Sequence, residues 1–286
     1  MAMIPGPLIT GPESVASRYG LLVAASGPIS LPEKARGGGV RYIPVTCGVA
    51  HTYPIDCSGG AVLTPDKDAD EQNPMVETGS FAAYASIECG AIGYTQQEFT
   101  DQVIRRLYNG EQGAAEYALW SGLGADGNPL GIQNLTDDAV AVTNPDDSDI
   151  VAVLAALEDY AYRVQGYGQV AYIHAPASMA AWANDRHIVE TRSGDPRKYT
   201  PFGSVWVFGG GYPGTGPAHA APPAGGAYLY VTGQVTVWRS DDVWTYPVNQ
   251  TMDRETNQHF LLSEREYVIG FDCFAGSALF NPLGGS

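Results

Sequence analysis

Lysine is scarce in this sequence. Only Lys34, Lys67 and Lys198 occur, and with arginine the basic residues number 15 against 31 acidic ones, a formal net charge of −16. Such a surface repels polyphosphate, and no run of basic residues offers a compensating patch, which excludes nucleic-acid binding as the primary activity. An excess of one sign also keeps separate copies of a chain apart in solution. Long apolar runs are missing too. No stretch approaches the ~20 residues a membrane helix needs, and the start, Met1-Ala-Met-Ile-Pro-Gly-Pro, lacks the basic and apolar parts of a secretion signal. The expectation is a soluble protein made in a cytoplasm, and the sequons at Asn134 and Asn249 carry no weight without a leader. The four cysteines, Cys47, Cys57, Cys89 and Cys273, form no CxxC pair and none sits at zinc-finger spacing from a histidine. They read as buried free thiols.

Catalytic signatures are equally thin. There is no HExxH, GxSxG or GxxxxGK[ST], and residues 122–131, although glycine-rich, lack the lysine of a phosphate loop. Asp185-Arg-His187 could contribute a base, and Ser178 or Cys273 a nucleophile, but nothing in the sequence brings them together. The five histidines read as core or surface residues. No catalytic, metal or cofactor site is assigned.

Glycine (35) and proline (20) are plentiful and spread without a repeat, which points to many turns and several extended segments. Residues 1–40 are broken throughout by Pro and Gly around one candidate helix at about 13–24, and read as an arm that gains order by lying on something else. Residues 40–47 and 82–92 are β-rich and flank a charged, proline-bracketed tip at 65–74, the pattern of an extended hairpin. The strongest helix spans 96–121. Thr95 and Glu98 have capping-box spacing, and Phe99, Val103, Leu107, Ala114 and Ala118 mark one apolar face, where Leu107 is expected to pack against the strand around Val268. Asp101, Arg105, Gln112 and Glu116 fall on the polar side. At 1.5 Å per residue this helix is a strut of roughly 39 Å.

A second helix is predicted over 147–164 with Ile150, Leu154, Leu157 and Ala161 buried. Strands are predicted at 168–174, 203–208, 227–231, 235–240, 243–248, 260–262 and 266–274, with a short helix at 176–183 and a long flexible loop at 209–226. Helices and strands mix without a strict βαβ rhythm, so the fold class is α+β.

Arm, long hairpin, spine-length helix, α+β region and closing strands, in that order, resemble the HK97-type major capsid protein of tailed bacteriophages. The run Ile104-Arg-Arg-Leu-Tyr-Asn-Gly-Glu-Gln-Gly-Ala-Ala-Glu-Tyr-Ala-Leu-Trp-Ser-Gly-Leu-Gly-Ala-Asp-Gly-Asn-Pro-Leu-Gly-Ile132 is similar to the family's spine helix and its glycine-rich exit turn. Val170-Ala-Tyr-Ile-His-Ala-Pro-Ala-Ser-Met-Ala-Ala-Trp182 resembles its strand and Pro-started helix. Tyr230-Val-Thr-Gly-Gln-Val-Thr-Val-Trp-Arg-Ser-Asp-Asp242 and Glu264-Arg-Glu-Tyr-Val-Ile-Gly-Phe-Asp272 resemble its closing strands. The resemblance covers about residues 40–280.

It implies an HK97-like fold with an N-terminal arm (1–40), an E-loop hairpin (41–94), a spine helix and exit turn (95–132), an axial domain (133–235) and closing strands of a peripheral domain (236–286). It implies hexamers and pentamers of this chain forming an icosahedral shell around double-stranded DNA, in the virion, without sequence-specific DNA binding. Portal, a separate scaffolding protein and a decoration protein are the partners it suggests. Only some 40 residues precede the hairpin, which is why a scaffold is expected as a separate chain. Candidate inter-subunit contacts are Arg105, Arg106 and Lys67. Some family members join subunits through a Lys–Asn bond; Lys67 and Asn257 match that pattern poorly and read as ordinary exposed residues. The alternatives are an encapsulin-type nanocompartment, disfavoured by the broken N-terminus, a hydrolase-like enzyme, and a secreted β-rich binding protein.

Overall fold

The computed structural model describes residues 19–44 (except 26), 47, 75–90, 95–246, 252–253 and 258–284. The tip of the predicted hairpin, with Lys67, lies outside the described residues, as do residues 1–18 and Asn257.

The spine helix runs Gln96–Ser121, 26 residues, as its sequence predicts. Thr95 closes a full capping box with Glu98, and Gly122 ends the helix in the left-handed region at φ 67°. A side chain there would be strained, and its Cβ would collide with the Asn134 amide. One face of the helix lies on an antiparallel ribbon, Ser80–Gly90 against Gln258–Phe271, registered from Ser80 opposite Val268 to Gly90 opposite Gln258. Side chains alternate across a strand. Phe81 and Ala83 on one strand, and Leu261, Arg265 and Tyr267 on the other, are thus buried with Phe99, Val103 and Leu107 of the helix.

Two sequence expectations fail on this face. Ala114 is exposed, because the stripe continues by steps of four through Glu111 and Ala115. Val268, expected under Leu107, faces the other side of the sheet, where it packs with Leu31 and Ala35. A one-residue shift from Tyr267 is enough to reverse the face.

The ribbon belongs to a six-stranded sheet completed by Ile29–Ser30, Val235–Arg239, Trp244–Thr245 and Met252–Asp253. The expected separate strands at 260–262 and 266–274 are one continuous strand, Gln258–Phe271. A second, seven-stranded mixed sheet has the order Val140–Ala141, Ala275–Phe280, Ala227–Thr232, Tyr172–Pro176, Val205–Gly209, Lys198–Tyr199, Glu190–Thr191. Helix Ile150–Asp159, extended by a π-turn to Val164, covers it with Ile150, Leu154, Leu157 and Ala161 buried as predicted. The last strand, Ala275–Phe280, was expected with the closing strands but pairs here with Ala227–Thr232. The expected hairpin changes partner: Val40–Tyr42 pairs with Val76–Thr78 as its root, whereas 82–92, expected as its second strand, falls in Ser80–Gly90, which pairs with Gln258–Phe271 because the spine helix packs on that ribbon.

The described part of the arm is less independent than its composition suggests. Leu21 and Ala24 are buried in the main core, and Ile29–Ser30 pairs parallel with Trp238–Arg239. The free-thiol reading is also corrected: Cys47 and Cys273 form a disulfide across 226 residues of sequence. Spacing in the chain carries no information about such a pair; only the fold brings the two sulfurs together. Among the described residues no helix is long and apolar enough to cross a membrane.

Leu107 is 1% exposed at the centre of the helix–ribbon contact. Leu107→Ala is expected to cost about 2–5 kcal/mol, read as a lower midpoint in urea unfolding of the dissociated chain.

Candidate functional site

The spine helix is the element to which the other parts of the chain attach, through three stations along its length. The first is a buried charge cluster. Glu111 sits on the apolar stripe, one helical step beyond Leu107, and is 6% exposed. Arg265, on the ribbon strand, places Nη1 3.0 Å from Glu111 Oε2, and Arg239 Nη1 donates to Glu111 Oε1 at 3.1 Å. The Arg265 guanidinium also lies 4.9 Å from the centre of the Tyr108 ring. A carboxylate out of water is tolerated here because two guanidiniums face it.

The second station is Glu116, assigned from the sequence to the polar side but only 1% exposed. Its Oε1 accepts from the Leu21 amide at 3.0 Å and its Oε2 from the Gly211 amide at 2.8 Å. One carboxylate thus clasps the end of the arm and the 209–226 loop to the helix. Burial pushes its pKa up, while the Gly211 and Leu21 amides pull it down. Gly211 has to be glycine: an added Cβ would run into the Gly113 carbonyl of the helix.

The third is Trp120, fully buried, whose Nε1 donates to the Thr215 carbonyl at 3.0 Å while Tyr230 meets its ring edge-on at 4.8 Å. These contacts overturn the reading of 209–226 as a flexible loop. Its first half, with Tyr212, Gly214 and Gly216 buried, is packed into the chain's own core; residues 218–221 and 223–225 are exposed. The sequence signal for disorder was Gly and Pro content, and here the glycines serve close approach instead.

Near this station His174, wholly buried, sets Nδ1 2.9 Å from Tyr212 Oη and Nε2 3.0 Å from Thr232 Oγ1. Burial pushes its pKa down to about 3, so it is a neutral core histidine with both nitrogens satisfied.

Arg105 and Arg106 are both exposed on the helix. Arg106 Nη1 donates to the Ser86 carbonyl at 2.7 Å. Arg105 makes no ion pair among the described residues. Lys67, the third candidate contact, lies outside the described residues. Cys273, a possible nucleophile by residue type, is held in the disulfide. The residues that the sequence missed, Glu111 and Glu116, were hidden because a glutamate on a helix reads as solvated. Their step-of-four spacing from Leu107 to Ala115, and from Gln112, was the available signal. The arrangement as a whole is mechanical: buried anchors lock a strut to two sheets, while its other face stays open.

No protein-family model matches the chain, and no curated protein matches it. Solved structures do match its fold. The capsid of an empty GTA particle aligns at 13% identity over 95% of this chain and 99% of that one, with a TM-score of 0.51. A structure of Mycobacterium phage Ogopogo aligns at 13% identity over 97% of each chain, TM-score 0.50, and one of Gordonia phage Cozz at 12% identity over 98% of this chain and 89% of that one, TM-score 0.50.

Two measurements check the buried groups. Glu111→Ala leaves Arg265 buried without its carboxylate and is expected to cost about 3–5 kcal/mol, whereas Glu111→Leu with Arg265→Met is expected to recover most of that loss in urea unfolding. For His174, the folded pKa of about 3 lies below the free value of 6.5, so its stabilisation is complete above pH 6.5 and is lost as the pH falls towards 3. The expected slope is up to ~1.4 kcal/mol per pH unit in that window, and His174→Gln is expected to flatten it. Spine, ribbon, hairpin root and second sheet together make an HK97-like α+β fold, which this chain shares with the capsid subunit of the empty GTA particle.

Proposed function

We propose that this chain is the major capsid protein of a tailed phage, a structural protein that self-assembles into pentamers and hexamers of an icosahedral head shell. The observation that carries this reading is the extent of the fold match: a capsid subunit aligns over nearly its whole length with nearly the whole of this chain. A chain that shared only a common core with capsid subunits would match over a fraction of each.

Physical features support it. A 26-residue strut anchored on one face offers its other face to neighbours. The net charge of −16 suits a container that encloses DNA without gripping it. In this reading the arm and E-loop (to about residue 94) reach adjacent copies and the spine with the six-stranded sheet forms the peripheral domain. The seven-stranded sheet forms the axial domain, to which Ala275–Phe280 adds a strand. Synthesis in a host cytoplasm followed by function in the released virion accommodates the Cys47–Cys273 disulfide, since such bonds persist outside reducing compartments. A portal, a separate scaffolding protein and a decoration protein are the partners such a shell would use. Catalysis has no part in the proposal.

Arg105 and Arg106 are proposed to meet acidic groups of an adjacent copy, as is Lys67 in the hairpin tip. Electron microscopy of the purified chain is expected to show closed shells, and only compact monomer at every concentration would refute the capsid reading. Arg105→Glu/Arg106→Glu is expected to melt as the wild type does but assemble poorly; normal particle yield would remove these arginines from the interface.

A further inference from the structure

The seven-stranded sheet ends in two short edge strands whose flanking segments differ in charge. At one edge is Val140–Ala141, at the other Glu190–Thr191. Five strands separate them, so the edges lie about 29 Å apart at the usual spacing of ~4.8 Å. Around the first edge, residues 137–149 hold Asp137, Asp138, Asp146, Asp147 and Asp149 and no basic residue. Around the second, residues 186–198 hold Arg186, Arg192, Arg197 and Lys198, four of the chain's 15 basic residues, against Glu190 and Asp195. In a chain so poor in cations, that concentration stands out.

Few of these charges are ion-paired, although Asp137, Asp138, Asp146 and Asp149 accept hydrogen bonds from neighbouring Asn134, Ser148 and Val151 groups. Arg197 is paired with Asp195 at 2.7 Å, and Asp137 lies 4.0 Å from His219. Arg186, Arg192, Asp138, Asp146, Asp147 and Asp149 have no ion-pair partner among the described residues. Arg192 is instead held in place, its guanidinium 3.8 Å from the centre of the Tyr199 ring. Val140, on the first edge strand, is 58% exposed.

A closed ring of identical subunits is heterologous, so each copy must present two different, mutually complementary patches on opposite flanks. We infer that the aspartate-rich edge at 137–149 of one copy docks against the arginine-bearing edge at 186–198 of the next, head to tail around a capsomer. The inference rests on the capsid reading and names the contact that reading requires. Paired charges of opposite sign set register and encounter, and they suppress the like-to-like edge pairings that would close no ring. The competing account is that charge of any sign on a short edge strand serves only to block strand addition. On that account reversing the sign changes nothing.

The test is a charge swap on the full chain, scored by particle yield in electron microscopy and sedimentation. Arg186→Glu/Arg192→Glu is expected to lower yield by about ten-fold or more, and so is Asp146→Lys/Asp147→Lys. The four-fold variant, with both edges reversed, is expected to return close to wild-type yield. If either reversed pair assembles like the wild type, or the four-fold variant melts normally yet stays as deficient as the pairs, the edges do not meet. Should a reversed variant fail to fold, the neutral pairs Arg186→Gln/Arg192→Gln and Asp146→Asn/Asp147→Asn serve in its place, with a smaller loss expected from each and unchanged yield counting against the contact. A wild-type chain that never self-associates would overturn the capsid reading and this contact with it. Wild-type shells indifferent to the swap would overturn this contact alone.

Discussion

Burying one face of a 26-residue helix on a two-stranded antiparallel ribbon is the constraint from which the rest of the molecule follows. A helix that long cannot find its whole stripe of partners on a short sheet, so the ribbon has to be long as well, and Gln258–Phe271 extends as a single strand of 14 residues. Fourteen residues of strand rise about 46 Å, enough to underlie the roughly 39 Å helix. Phe99, Val103 and Leu107 supply the apolar contact at one end. Further along, Glu111 between Arg265 and Arg239 replaces it with a charge cluster. A buried ion pair adds little net stability over apolar packing, but it tolerates few alternative registers. Its place here, midway along a helix that could otherwise slide by a turn, is where a register device has most effect.

Beyond that station the helix serves a second purpose. Glu116 and Trp120 reach across to the 209–216 segment, and through it to the seven-stranded sheet. The two sheets are also joined covalently through the turn at Asp272–Cys273, where the closing strand leaves one sheet and Ala275–Phe280 enters the other. Cys273 takes a left-handed backbone conformation at φ 65° in that turn, and its sulfur is bonded to Cys47. The hairpin root, the turn between the sheets and the spine are thereby tied together at one end of the body.

The distribution of charge follows a related logic. Inside the fold, Glu111 is matched by guanidiniums, Glu116 by backbone amides and Asp272 by the Tyr42 hydroxyl. Outside, the excess of acid keeps free copies apart, and only local patches such as the 186–198 edge interrupt it. An assembly of mutually repelling subunits is held by contacts where the sign is reversed or by apolar burial, and both kinds of surface are present at the flanks of the second sheet.

Local chemistry made part of this legible before any coordinates. The spine helix, its capping box at Thr95 and Glu98, and its glycine stop were all read correctly, since caps and periodicity act over a few neighbouring residues. The buried stripe Ile150, Leu154, Leu157 and Ala161 was equally plain. Other features depended on segments far apart in the chain. Glu116 looked solvated because its partners, Leu21 and Gly211, are 95 residues away in either direction. Val268 was assigned to the wrong face, since period-two alternation gives two faces without saying which one meets the helix. Composition made 209–226 look mobile, whereas its glycines allow the backbone to approach the spine. Cys47 and Cys273 became a disulfide only through the fold. The sequence by itself determined the long helices, most of the strands and the α+β order, because propensity, capping and periodicity are local. Tertiary structure alone decided face, register, the buried charges and the pairing of cysteines, because each depends on which distant surface arrives opposite a residue.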